Sequence, residues 1–85
     1  MTEIVLAYYE KRDWRKFIDS IDDRGSMHDT WKEWHKAFLK TKRELTTQGF
    51  LVNVFIVDIN ELINYCKMRG IKNNGKARSQ FVTQR

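Results

Sequence analysis

The sequence predicts a small α+β domain whose elements follow the order β-α-α-β-α-α. Three observations support this fold class. The chain has 85 residues, which is enough for one domain with a small core. Residues 27–48 carry apolar side chains at alternating spacings of four and three, which is the pattern of a long amphipathic helix. Residues 50–57 are almost continuously apolar, which is typical of a buried strand.

Composition excludes several classes of protein. A hydrophobic fraction of 41% and the absence of proline predict a folded chain without linkers, so we expect residues 1–85 to form a single compact domain. No apolar run approaches the ~20 residues that a membrane span needs, and no signal peptide is recognisable at the N-terminus. We therefore expect no membrane partner and a cytoplasmic location. The single cysteine, Cys66, excludes an intramolecular disulfide and agrees with a reducing compartment.

The chain is expected to begin with a strand and a short helix. Residues 3–9, EIVLAYY, are rich in β-branched and aromatic side chains and predict a strand, with a helix as the open alternative. Asp13 is suited to cap the next helix, which should run from Trp14 to about Ile21. The apolar residues of this helix fall on one stripe: Trp14, Phe17, Ile18 and Ile21.

The long helix at 27–48 has recognisable ends and two contrasting faces. Ser26 is expected to cap it, with Asp29 returning the capping-box bond, and Gly49 is expected to end it. The apolar stripe, which should pack in the core, consists of Met27, Trp31, Trp34, Phe38, Thr41 and Leu45. The opposite stripe is basic and consists of Lys32, Lys36, Lys40 and Arg43. A solvated outer face is the simplest interpretation of such a basic stripe.

The strand at 50–57 is apolar on both of its faces, so we expect both faces to be covered. A lone strand cannot satisfy its backbone hydrogen-bonding groups. Two partners are open on sequence grounds. One is residues 3–9, paired in parallel through the helical crossover, and the other is the same strand of a second copy across a homodimer axis.

Two further helices are expected to form a C-terminal hairpin. Asp58 is placed to cap the first, with Glu61 as its capping-box partner, and Gly70 should end it. Asn74 is placed to cap the second, at about 75–84. The inward-facing positions of the two helices are Ile59, Leu62, Ile63, Cys66, Ala77 and Phe81.

The net charge of +5 is concentrated at the C-terminus. Residues 1–66 carry ten cations and eleven carboxylates, whereas residues 67–85 carry six cations and no carboxylate. This asymmetry is typical of a surface that meets phosphates, and a solvated basic tail is the alternative. We hypothesise a binding module in which the hairpin contacts nucleic acid, helped by the basic stripe of the long helix. The predicted contacts are Lys72, Lys76, Arg78, Arg85, Asn73 and Asn74 in the hairpin, with Lys32, Lys36, Lys40 and Arg43 on the long helix.

A second class of function is the alternative to nucleic-acid binding. In this interpretation the chain is a protein-interaction or assembly module that binds no nucleic acid. Its aromatic strand and helix surfaces would recruit another protein, or the strand at 50–57 would pair with that of a second copy.

No constellation of residues predicts catalysis, and we expect neither a cofactor nor a metal. The stretch GIKNNGKARSQ at 70–80 resembles the phosphate-loop template G-x-x-x-x-G-K-[ST]. A helix rather than a strand precedes it, and Ala77 replaces the metal-binding hydroxyl, so it indicates a basic turn. His28 and His35 lie about 10 Å apart along one helix, too far to share a metal. The acidic cluster of Asp19, Asp22, Asp23 and Asp29 is explained by the N-terminus of the next helix along the chain, the long helix at 27–48.

Overall fold

The computed structural model describes residues 2–84. In chain order its elements are β1 (Glu3–Tyr8), α1 (Trp14–Ser20), α2 (Trp31–Thr47), β2 (Leu51–Ile56), α3 (Ile59–Arg69) and α4 (Gly75–Thr83). Single 3-10 turns at Lys11–Asp13 and Arg24–Ser26 lie before α1 and between α1 and α2. The predicted α+β class and the order β-α-α-β-α-α are confirmed.

The two strands pair with each other in parallel. Glu3 lies opposite Leu51 and Tyr8 lies opposite Ile56, so the pairing within one chain is the alternative that is observed. Even-numbered side chains of both strands share one face of the sheet and odd-numbered side chains share the other. The Asn53 side-chain amide donates a hydrogen bond to the Glu3 carboxylate across the odd-numbered face.

The helices are divided between the two faces of the sheet. On the odd-numbered face, Phe81 of α4 contacts Phe55, with ring centroids 6.2 Å apart. On the even-numbered face, the Tyr8 ring centroid lies 5.5 Å from that of Trp34 and 5.2 Å from that of Phe38, both in α2. Helices α4 and α2 therefore lie on opposite sides of the sheet.

The core lies at the C-terminal ends of the strands, where Val57 is 2% exposed and Phe17 and Leu62 are fully buried. Tyr9, just after β1, stacks on Phe17 with ring centroids 4.0 Å apart. The Trp31 indole Nε1 donates to the Tyr9 carbonyl oxygen at 2.8 Å and so attaches α2 to the end of β1. The aromatic residues of α1 and α2 are thus packing residues, as predicted.

Helix α2 begins four residues later than predicted, and its N-cap is Thr30 rather than Ser26. The Thr30 hydroxyl accepts a hydrogen bond from the Glu33 N–H at 3.2 Å and donates to the Glu33 carboxylate at 3.0 Å. Ser26 instead closes a 3-10 turn. The longer glutamate side chain can reach back over one helical turn, whereas Asp29 is paired with Arg24 at 3.2 Å.

The other predicted helix ends are confirmed with one exception. The side chains of Asp58 and Asn74 accept hydrogen bonds from the first turns of α3 and α4. Gly70 and Gly49 follow α3 and α2 with φ values of 63° and 95°, the left-handed conformation that glycine adopts without strain. Within the described residues the Asp13 side chain makes no capping bond, because a 3-10 turn leads directly into α1.

The expectation that both faces of β2 are covered is wrong. Leu51, on the odd-numbered face, is 49% exposed, and Val54 and Ile56, on the even-numbered face, are 41% and 58% exposed. Within residues 2–84 the sheet has two strands, so β2 has no neighbour on its outer side. Thr41 of the predicted core stripe is also exposed, as is every residue of 39–49 except the half-buried Leu45.

Candidate functional site

Arg78, a predicted phosphate contact, is buried in the domain. Its side chain is 8% exposed, and its guanidinium binds the Asp23 carboxylate through Nη1 at 2.9 Å and Nη2 at 2.8 Å. Nη1 also donates to the Asn73 carbonyl oxygen at 3.1 Å, and the guanidinium carbon lies 5.4 Å from the Phe17 ring centroid. The prediction that Arg78 faces a ligand is therefore corrected, because its donors already serve an internal carboxylate.

The same contacts bind the loop after α1 to the turn between α3 and α4. The Asp22 N–H donates to the Asn73 carbonyl oxygen at 2.9 Å, and the Asn73 N–H donates to the Asp22 carboxylate at 2.7 Å. The Gly75 N–H donates to Asp23 at 3.2 Å. Asn73 is 4% exposed and so cannot read a base edge in this conformation. The two aspartates lie beside a helix N-terminus as expected, but the helix is α4 rather than α2.

Burial and the ion pair shift the ionisation of nearby groups. Hydrogen bonds from Arg78 hold the pKa of the Asp23 carboxyl below its ordinary value, against the opposing effect of its partial burial. Burial raises the pKa of Tyr9 to about 12, although the adjacent Arg78 opposes this rise. Burial also raises the pKa of the Cys66 thiol, which is the environment of a packing residue rather than a nucleophile.

The exposed part of the predicted hairpin interface is smaller than expected. Lys72 and Lys76 lie on the surface, and within residues 2–84 neither forms an ion pair. Asn74 is partly exposed, but its side-chain oxygen accepts the Ala77 N–H at 3.0 Å as the cap of α4. Arg85 lies outside the described residues. The hairpin contact with nucleic acid stays a prediction that now depends on the two lysines.

The basic stripe of α2 is intact and solvent-exposed. It points away from the sheet, because Trp34 and Phe38 on the opposite side of the helix pack against Tyr8. In the part of the chain that the structure describes, none of its cations forms an ion pair with a carboxylate. Its members are Lys32, Lys36, Lys40 and Arg43.

The structure does not bring the two predicted basic sets together. Lys76 is carried by α4 on the odd-numbered side of the sheet, whereas the stripe is carried by α2 on the even-numbered side.

Among the residues that the structure describes, no strand pairs with the outer edge of β2, so the backbone hydrogen-bonding groups on that edge are unused. The Leu51 N–H donates to the Thr2 carbonyl oxygen and the Val57 N–H donates to the Tyr8 carbonyl oxygen, each at 2.9 Å. In a strand, residues that bond to one neighbour alternate with residues whose N–H and C=O point the other way. Odd-numbered residues of β2 therefore bond to β1. The groups that point to the outer edge belong to Val52, Val54 and Ile56.

Exposed apolar side chains surround this edge. They are Leu51, Val54 and Ile56, which are 49%, 41% and 58% exposed. Leu39 of α2, which is 45% exposed, lies apart from this edge, beside the basic stripe, where it lines a groove with Lys36, Lys40 and Arg43. The strand LVNVFI also lacks the lysine or proline that commonly protects sheet edges. The absence of charge is visible in the sequence, where it predicts a strand covered on both faces rather than an open edge.

The remaining chemical candidates do not assemble into a site. The His35 ring stacks on Trp31 with centroids 4.4 Å apart, and His28 lies exposed before α2. Among residues 2–84, no group of three or more His, Cys, Asp or Glu side chains is arranged to hold a metal ion. In the same part of the chain, none of the helices combines the length and apolar character needed to cross a membrane.

Comparison of the chain with protein-family models, with curated proteins and with solved structures gave no match.

Proposed function

We propose that this domain is an assembly module that forms a two-fold dimer by joining the outer edges of two β2 strands. The observation that carries this proposal is an unpaired strand edge with exposed apolar side chains on both faces, at Leu51, Val54 and Ile56. Pairing satisfies the free N–H and C=O groups and removes these side chains from water. Unprotected edges of this kind are templates for another strand.

The chemistry of β2 suits a second copy of itself. The chain carries a net charge of +5, so two copies repel each other over most of their surface. Strand β2 is uncharged, and two copies that meet there place no like charges directly opposite each other. A two-fold axis perpendicular to the sheet reverses the strand direction, so the two β2 strands pair antiparallel.

The direction of the backbone groups restricts the register of this pairing. Outward-pointing groups come from even-numbered residues, so each hydrogen-bonded pair joins two even-numbered residues. With Val54 opposite Val54 of the second copy, Val52 lies opposite Ile56. In this register all three outward-pointing residues exchange both of their backbone hydrogen bonds, and the apolar side chains of the even-numbered faces meet.

The dimer has a four-stranded sheet in the order β1-β2-β2-β1. A standard interface covers about a tenth of a small protein's surface on each partner. For a chain with 6017 Å² of accessible surface, this corresponds to about 600 Å² on each copy, which is at the lower end for specific dimers. We therefore expect an equilibrium between dimer and monomer that depends on protein concentration.

Proline substitutions distinguish the two edges of β2. Val54→Pro removes an outward-pointing N–H at the dimer axis and leaves the bonds to β1 in place, so we expect a folded monomer. Asn53→Pro removes a donor to β1 and should destabilise the fold. Light scattering coupled to size-exclusion chromatography should give twice the 10.3 kDa chain mass for the wild type and once that mass for Val54→Pro. Far-UV circular dichroism checks that Val54→Pro remains folded.

A second variant covers the case in which Val54→Pro does not fold. Val54→Lys is a surface substitution that places two lysines opposite each other on the axis and should also give a monomer. A wild-type chain that remains monomeric at millimolar concentration would overturn the proposal. A dimer that persists unchanged in Val54→Lys would show that another surface forms the interface.

A further inference from the structure

We infer that the dimer binds double-stranded nucleic acid across a basic surface formed jointly by its two α2 helices. This inference rests on the β2 dimer proposed above. It differs from the hairpin interface predicted from the sequence, because the contacts come from α2 and the site is complete only when two copies are joined.

The register of the dimer decides where the two α2 helices lie. Hydrogen-bonded pairs between even-numbered residues make the even-numbered faces of the two sheets continuous. Tyr8 and its contacts with Trp34 and Phe38 place α2 on the even-numbered face. Both α2 helices therefore lie on one side of the four-stranded sheet, and both basic stripes point away from it in the same direction.

The spacing of the stripe suits a regular polyanion. Lys32, Lys36 and Lys40 recur every four residues, which is about 6 Å along the helix, and Arg43 extends the stripe to about 16 Å. Two stripes present twice this set of cations, and a rigid helix holds them at fixed intervals. Two acidic side chains lie in α2. Glu33 accepts a hydrogen bond from Thr30 at the helix start, and Glu44 forms no ion pair with the stripe within residues 2–84. Phosphates of a duplex form an equally regular array of charges.

The composition of this surface favours duplex over other anionic partners. Single strands are commonly held by stacking on exposed aromatic rings, whereas Trp31, Trp34 and Phe38 are turned toward the sheet and packed. A membrane-surface helix inserts its apolar face into lipid, and the apolar face of α2 is already occupied by these contacts. The expected binding is made through phosphates and is independent of sequence.

The salt dependence of binding measures how many cations take part. We would titrate a fluorescent 20-base-pair duplex DNA by anisotropy between 50 and 200 mM salt. Eight phosphate contacts predict a slope of about −7 for log K against log salt, and four predict about −4. We expect the larger slope for the wild-type dimer and the smaller for the Val54→Pro monomer, which carries the same net charge per chain.

Two matched double variants locate the contact surface. Lys36→Gln with Lys40→Gln should leave the dimer intact and reduce the slope by about half. Lys72→Gln with Lys76→Gln removes the same charge from the turn before α4 and from α4 itself, and should leave the slope unchanged. Competition with single-stranded DNA, polyglutamate and anionic phosphatidylserine vesicles should displace the duplex only weakly.

The outcomes separate this inference from the proposed dimer. A dimeric wild type that fails to bind duplex at 50 mM salt overturns the inference and leaves the dimer in place. A slope that responds to Lys72→Gln with Lys76→Gln, and not to the α2 pair, assigns binding to the hairpin and also overturns it. If polyglutamate or vesicles bind more strongly than duplex, the choice of duplex nucleic acid as the partner is overturned. A monomeric wild type removes both proposals.

Discussion

The Arg78 guanidinium and the Asp23 carboxylate form a two-pronged ion pair, at 2.9 and 2.8 Å, that joins α4 to the loop after α1. The two residues are 55 positions apart in the chain, so this contact closes the domain around its core. It also explains why Arg78, which was predicted to contact nucleic acid, is buried and does not face a ligand.

Removing Arg78 should destabilise the domain strongly. Arg78→Gln leaves the partly buried Asp23 carboxylate without its partner, and we expect a loss of about 3 kcal/mol in the free energy of unfolding. Urea titration followed by tryptophan fluorescence measures this loss. The control is Arg15→Gln, because the Arg15 and Asp19 side chains are 91% and 66% exposed and their pair should contribute almost nothing. Equal effects of the two substitutions would contradict a structural role for Arg78.

The stability of the domain should fall in acid partly through Asp23. Its pKa is lowered in the folded state, so the folded protein binds this proton less readily than the unfolded chain. The stabilisation is complete above the ordinary carboxyl pKa of about 4 and is lost as the pH falls through the folded-state value. Comparing Asp23→Asn with the wild type between pH 2 and 7 should give a stability difference that shrinks below about pH 4. A difference that does not depend on pH would contradict the assignment.

The position of the α2 cap can be tested with two alanine substitutions. Thr30→Ala removes the hydroxyl that accepts the Glu33 N–H, and we expect a loss of about 1 kcal/mol in unfolding free energy. Ser26→Ala should have little effect, because Ser26 lies in a 3-10 turn outside the helix. Thermal or urea unfolding of both variants provides the measurement. A larger effect at Ser26 would restore the helix start predicted from the sequence.

Much of the fold could be predicted because its signals are local. The caps at Asp58 and Asn74 and the stop at Gly70 each depend on side chains and backbone groups within about four residues. The error at Ser26 arose because two overlapping capping patterns compete within a few residues. In the structure the Thr30–Glu33 hydrogen bonds and the pairing of Asp29 with Arg24 distinguish them.

The candidate surfaces depend on long-range contacts and could not be predicted in the same way. An arginine in an acid-free segment suggests solvent exposure, and nothing near Arg78 in the sequence indicates that Asp23 folds against it. An uncharged strand is likewise expected in the middle of a large sheet and at an edge that pairs with another chain. The number of strands in the sheet separates these cases, and it is a property of the whole fold.

The parallel pairing of β1 and β2 also shapes how the chain reaches its native state. Paired residues such as Glu3 and Leu51 are 48 positions apart, and α1 and α2 must be accommodated between them before the ladder closes. The entropic cost of such a closure precedes any stabilising contact, which makes sheet formation a late and slow event. On the ribosome, β1 has emerged long before its partner strand has been synthesised. During that interval it is an unpaired apolar segment that chaperones can recognise.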